Sequence, residues 1–247
     1  MRRQLQLAAL TLALTTVAAA QFHFPQLSHK DRDKDREDVS WLAPYATPEP
    51  GGRAEELMHD SRFKPFIRDH LTAPQTFWNQ NESLHETIAE FLGVPGQVFL
   101  DDNRFLSVDG SVPQFSPSRG LIFVDLGTPH PLVVFAATDW VKENKTPGQS
   151  GAEYTLWVFT NHPLRATSDD DANHIPDALK RAIARWTNRP VTEGGTAENI
   201  TTTILVDPDG TPHQVPTASL GLNSAQGSGP KAQSPGPTSP PPTETKK

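Results

Sequence analysis

The stretch LIFVDLGTPHPLVVFAA, Leu121 to Ala137, decides the fold class. Two runs, Leu121–Leu126 and Leu132–Ala137, are rich in β-branched and aromatic residues and are parted by Gly127-Thr128-Pro129-His130-Pro131, a turn composition. In both runs the two alternating faces are apolar, as expected of central strands covered on both sides. Tyr154–Thr160 has the same character. Upstream, Gln97–Leu100 and Arg104–Val108 flank Asp101-Asp102-Asn103, a three-residue hairpin loop. Downstream, Thr201–Val206 precedes Asp207-Pro208-Asp209-Gly210, which turns the chain back into a short, proline-limited edge strand.

Helical signals bracket these strands. Ala54–His59 and Pro65–Leu71 are short candidates, with Pro65 suited to a first helical position. Glu82–Leu92 places Leu84, Ile88 and Phe91 or Leu92 on one face before Gly93 ends it. Ile175–Thr187 carries the clearest stripe, Ile175, Leu179, Ala182 or Ile183, and Trp186, with Lys180, Arg181 and Arg185 pointing away. Asp169, Asp170 and Asp171 stand just before it, where carboxylates favour the positive end of a helix dipole. The short loops between strands predict an α+β domain: a mainly antiparallel sheet of five to six strands, N-terminal helices, and the late helix packed across the sheet.

The ends have a different composition. Arg2 and Arg3, an apolar run from Leu5 to Ala19, and Ala18-Ala19-Ala20 before Gln21 make the three-part pattern of a secretory signal peptide, residues 1–20, cut after Ala20. The run is shorter than the roughly 20 residues a membrane span needs, and no later run reaches that length. The mature protein is therefore expected to be secreted or periplasmic and free of the membrane. Residues 21–52 combine an alternating-charge run from Lys30 to Asp38 with Pro44, Pro48, Pro50, Gly51 and Gly52, and read as a disordered arm. Residues 223–247, nearly all Ser, Pro, Gly, Thr, Gln and Lys, read as an extended tail. One globular domain, residues 53–222, lies between them and is long enough for its own core.

Composition narrows the chemistry. The chain has no cysteine, so disulfides, thiolate metal sites, a cysteine nucleophile and a lipidated cysteine are all ruled out. A cysteine-free exported chain fits a bacterial envelope better than a small animal secreted domain, and the sequons at Asn81, Asn144 and Asn199 matter only in a eukaryotic secretory pathway. The net charge is −7; removal of the signal with its two arginines leaves 20 basic against 29 acidic side chains, or −9. Nucleic-acid binding, which needs clustered cations to displace counterions, is not expected.

The local motifs are incomplete. His85-Glu86-Thr87-Ile88-Ala89 begins like a zinc-protease helix, but Ala89 stands where the second histidine would bind. Asp125-Leu126-Gly127-Thr128 resembles the first phosphate loop of the actin and Hsp70 ATPase family over five residues from Val124. Pro129 removes a backbone donor there, and the chain is too short for that two-lobed fold, so a strand end turning at Gly127 is the expectation. The same stretch does not fit an aspartic-protease site, because Leu126 stands where Ser or Thr should follow the Asp. Asp31, Asp33 and Asp35 alternate as in a calcium loop, with Arg36 and Leu42 where Gly and Glu belong. Gly148-Gln149-Ser150-Gly151 lacks the last glycine of a nucleophile elbow.

Of nine histidines, His59, His70, His85, His130, His162, His174 and His213 fall in the domain. None is paired at ligand spacing, and His130 and His162 each precede a proline and read as loop residues. Phe63, Phe66, Phe77, Trp78, Trp140, Tyr154, Trp157 and Phe159 are expected mainly in the core. Two functions follow. The first is a non-catalytic exported module binding another protein or a surface polymer, with no cofactor or metal and no assigned catalytic residue. The alternative is a secreted hydrolase whose His and Asp residues meet only in the fold, with His59, Asp60, His70, His85 and Asp69 as the candidates.

Overall fold

The computed structural model describes residues 36–141, 145–147, 149–165, 174–190 and 196–222. Residues 1–20, expected to be a signal peptide, the Asp31-Asp33-Asp35 run, Asn144, the Asp169–Asp171 triplet and residues 223–247 lie outside the described residues. Seven strands form one sheet in chain order: β1 Val94–Asp101, β2 Phe105–Val112, β3 Phe115–Asp125, β4 Val133–Trp140, β5 Glu153–Thr160, β6 Asn199–Val206 and β7 Pro212–Val215. Every adjacent pair is antiparallel except β5–β6, which is parallel. The α+β class stands, with more strands than the five to six expected.

The extra strand content sits where turn residues hid it. β1 begins at Val94 and runs through Pro95 and Gly96, where the register shifts in a bulge. A side chain at Gly96 would collide with the Asp109 carboxylate across the pair. β3 begins at Phe115, six residues before the apolar run announces it. At the β1–β2 turn, Asp102 and Asn103 both have positive φ, 55° and 52°, as a primed hairpin turn requires. Gly210, with φ of 88°, closes the turn into β7, and its N–H donates to the Asp207 carbonyl at 2.8 Å.

The parallel pair has a plain cause. Parallel neighbours need a crossover of a dozen residues or more, and the segment between Thr160 and Asn199 contains the helix Asp177–Thr187. Strand composition alone carries no direction, so the crossover was not legible in the strands themselves.

The helices are α1 Ala54–His59, α2 Phe63–His70, α3 Leu84–Phe91 and α4 Asp177–Thr187. Pro65 lies inside α2 instead of opening it, and Pro176 is the N-cap of α4. α1–α3 cover one face of the sheet, packing Leu57, Phe63, Ile67, Ile88 and Phe91 against Leu106, Ile122, Phe135 and Phe159. α4 covers the other, packing Leu179, Ile183 and Trp186 among Phe123, Val134, Leu156 and Leu205. Fully burying a side chain of this size is worth about 1.5–3 kcal/mol. Covering on both sides explains why β3, β4 and β5 are apolar on both faces.

The folded unit begins upstream of residue 53, against the expected arm. Ser40–Ala46 forms a 3-10 turn whose Leu42 is fully buried, with Val39 and Ala46 beside it. The Tyr45 hydroxyl donates to Asp60 at 2.6 Å, and the Arg62 guanidinium lies 4.4 Å from the Trp41 ring centre. Trp41, Leu42 and Tyr45 outweigh the surrounding prolines. The same segment protects a sheet edge: the Val98 N–H donates to the Gly51 carbonyl at 2.8 Å. The other edge, β7, has four residues and starts with a proline.

Candidate functional site

The anticipated His/Asp set does not converge. Asp60 accepts the Tyr45 hydroxyl and both ends of the Arg62 fork, at 2.6 and 3.0 Å, which hold its carboxyl far below the usual carboxylate range. It fastens the 3-10 turn to the α1–α2 junction. His70 lies 2.9 Å from Glu37, and its other ring nitrogen is 3.0 Å from the Phe66 carbonyl. Asp69 pairs with Arg68 on the exposed face of α2. Among the described residues no three histidines or carboxylates are placed to hold a metal ion.

His59 and His85 both line a groove between α1, α2 and α3. The groove has a volume of about 510 Å³, and its apolar surface comes from Met58, Phe63, Ile67, Ile88, Ala89 and Leu92. Glu55, Lys64 and Glu86 join the two histidines as its polar lining. The local sequence builds it: α1 is six residues long, so Met58 and His59 come at once to its C-terminal end, while α3 turns Ile88 and Leu92 inward and leaves Ala89, with its short side chain, at the surface. At the start of α3 the Ser83 hydroxyl donates to Glu86 at 2.6 Å, and Glu86 also accepts the Ser83 N–H at 2.9 Å. These bonds hold the Glu86 carboxyl below its usual range. The hydroxyl lies 2.9 Å from His85 Nδ1, but its proton is given to the carboxylate. Ser83 is thus a capping-box residue and not an activated nucleophile.

A second cavity, of about 400 Å³, opens at the end of the sheet where β5 leaves for α4. His130, His162 and His174 reach it from three different loops, together with Arg104, Asp125 and Thr128. Arg104 forks onto Asp125 with two bonds of 2.7 Å, and the Gly127 N–H donates to the same carboxylate at 2.9 Å. Asp125-Leu126-Gly127-Thr128 is therefore a strand end held by Arg104. Burial pushes the His162 imidazole below its usual pKa, His130 and His70 reinforce this, and the Pro131 backbone opposes it. Sequence spacing gave no sign of this trio, because each member sits on a separate loop.

A buried ionic network lies under the C-terminal end of α4. Arg119 donates to Glu198 at 3.0 Å, and Thr138 donates to the same oxygen at 2.9 Å. Arg189 reaches Asp109 and Gln97. Burial pushes the carboxyls of both Asp109 and Glu198 up, against the pull of the guanidinium groups. Arg185 forks onto Asp101 at 2.9 Å, and Arg181 meets Asp102 at 2.9 Å. The residues at 181, 185 and 189 thus tie α4 to β1 and β2. Their spacing of four was the available signal, and on sequence alone it reads as a solvated face.

The aromatic residues are structural. Phe77 stacks on Trp157 with ring centres 5.2 Å apart, and Phe159 is buried behind them. His213 pairs with Asp207, which Arg165 also holds, so the late histidine secures the β6–β7 turn. No helix among the described residues is long and apolar enough to cross a membrane. No family model, curated protein or solved structure matches the chain.

Proposed function

We propose that this is an exported, non-catalytic binding module, and that the groove between α1, α2 and α3 receives a short apolar segment of a partner protein. The observation that carries the reading is the groove's composition: an apolar floor open between three helices and rimmed by polar groups. Such grooves take amphipathic helices through apolar anchors. Glu55 has no ion-pair partner among the described residues and lies on the rim, so a basic residue beside the anchors completes the contact.

Selection from a displayed peptide library against the purified protein tests this. The expected consensus has two or three apolar residues at helical spacing and a neighbouring Lys or Arg. Ala89→Arg, which fills the groove from an exposed position, is expected to weaken the selected peptides at least about tenfold, the effect of 1.4 kcal/mol. Peptides that bind the variant and the parent alike would overturn the assignment.

A further inference from the structure

We propose that the three-histidine cavity at the end of β5 binds a tetrahedral oxyanion, the phosphate or sulfate group of a small ligand. This cavity shares no lining residue with the helical groove. Arg104 is fixed twice, by its fork onto Asp125 and by its stacking over Phe105 at 4.8 Å, and its Nη1 has no partner among the described residues. The fork neutralises Arg104 and Asp125 together, so the pair brings the cavity a donor at Nη1 and no net charge. His162 is half-buried in the wall of the cavity, with the Pro131 backbone beside it. His130 and His174 are exposed, and Thr128 donates its hydroxyl to the His130 carbonyl, which holds that loop in place. A volume of about 400 Å³ exceeds a bare ion and suits a small ester.

The cavity lies outside the carboxyl end of β5, the strand from which the crossover leaves. Charge then depends on pH. His130, His162 and His174 face the cavity from the β3–β4 loop, the end of β5 and the approach to α4; Arg104 and Asp125 face it from the β1–β2 turn and the end of β3. Behind His162 stands His70, paired with Glu37, and beside His174 stands Asp177, paired with Lys180. A protonated imidazole in the lining adds positive charge to the cavity, against the burial that opposes it at His162.

The test is an NMR titration of the histidine ring signals with sulfate, whose own charge is constant between pH 5.5 and 7.5. Saturable shifts are expected at His130, His162 and His174, with tighter binding at the lower pH, because a protonated imidazole attracts the anion. Inorganic phosphate and methyl phosphate are then compared at pH 5.5: tighter methyl phosphate identifies an ester ligand, tighter inorganic phosphate a free ion. His162→Gln and, as a loop variant with little bearing on folding, His130→Gln should each lose most of the affinity. The proposal is overturned if no signal saturates at pH 5.5, if His59 and His85 shift equally, or if both variants bind as the parent does.

Discussion

Arg119 and Glu198 form the most exposed test of the account at the scale of single residues. Both are buried, so Arg119→Met leaves a carboxylate without its counter-charge, a change that costs about 3–5 kcal/mol when such a pair is broken. The loss should depend on pH with a definite sign. The folded pKa of Glu198 is raised above its unfolded value, so its contribution to stability is fully present below the unfolded value and is lost as pH rises through the folded one. Removing Arg119 raises that folded pKa further. Urea denaturation at pH 7.5 and 5 should therefore show a deficit at pH 7.5 that narrows at pH 5; an equal deficit at both would mean that packing, not charge, is what Arg119 supplies. The opposite sign holds for Asp60, Asp177 and Asp207, whose carboxyls are held low by Arg62, Lys180 and Arg165 and whose contributions disappear as pH falls through their folded values. Asp60 also marks where reading single residues fell short. Its neighbour His59 and the nearby His70 suggested chemistry, but Tyr45 and Arg62, which claim the carboxylate, lie 15 and 2 positions away and carry no motif.

At the scale of elements, α4 divides into a face that was legible and one that was not. The stripe Leu179, Ile183 and Trp186 follows helical periodicity, and those side chains are fully or nearly fully buried. Leu179→Ala is expected to cost about 2–5 kcal/mol by leaving a cavity. Arg185→Ala should cost about 1 kcal/mol, since its ion pair is partly exposed and it also covers Phe99 at 4.2 Å. Thermal denaturation of the two variants separates the faces; equal losses would contradict the assignment of α4's stability to its apolar stripe. The arginine row could not be read, because a charge every four residues looks the same facing water or facing Asp101 and Asp102. The same limit hid the parallel β5–β6 pair: the composition of two strands carries no direction, and only the helix between them states that the chain must cross over. By contrast, the β1–β2 and β6–β7 turns were legible, since Asp102, Asn103 and Gly210 are residue types that accept positive φ.

The whole molecule has two unlike faces. α4 is clamped to the sheet by apolar packing and by arginines, whereas α1, α2 and α3 are short helices that leave a groove between them. The sequence showed that both faces of the sheet are covered. It did not show the groove, because a groove is made by the gap between helices that are 6, 8 and 8 residues long, and not by any residue pattern. On the proposed function, partner binding falls to the helical face and scaffold duty to α4. Site-specific photocrosslinking in the producing cells is the measurement that tests this division most directly, with a photoreactive residue at Ala89 in the groove and a second at Lys180 on α4. The account predicts an adduct at position 89 that maps to an apolar segment flanked by a basic residue, and little or none at position 180. Equal yields at the two positions, or adducts at 89 that map to polar surface segments, would contradict it.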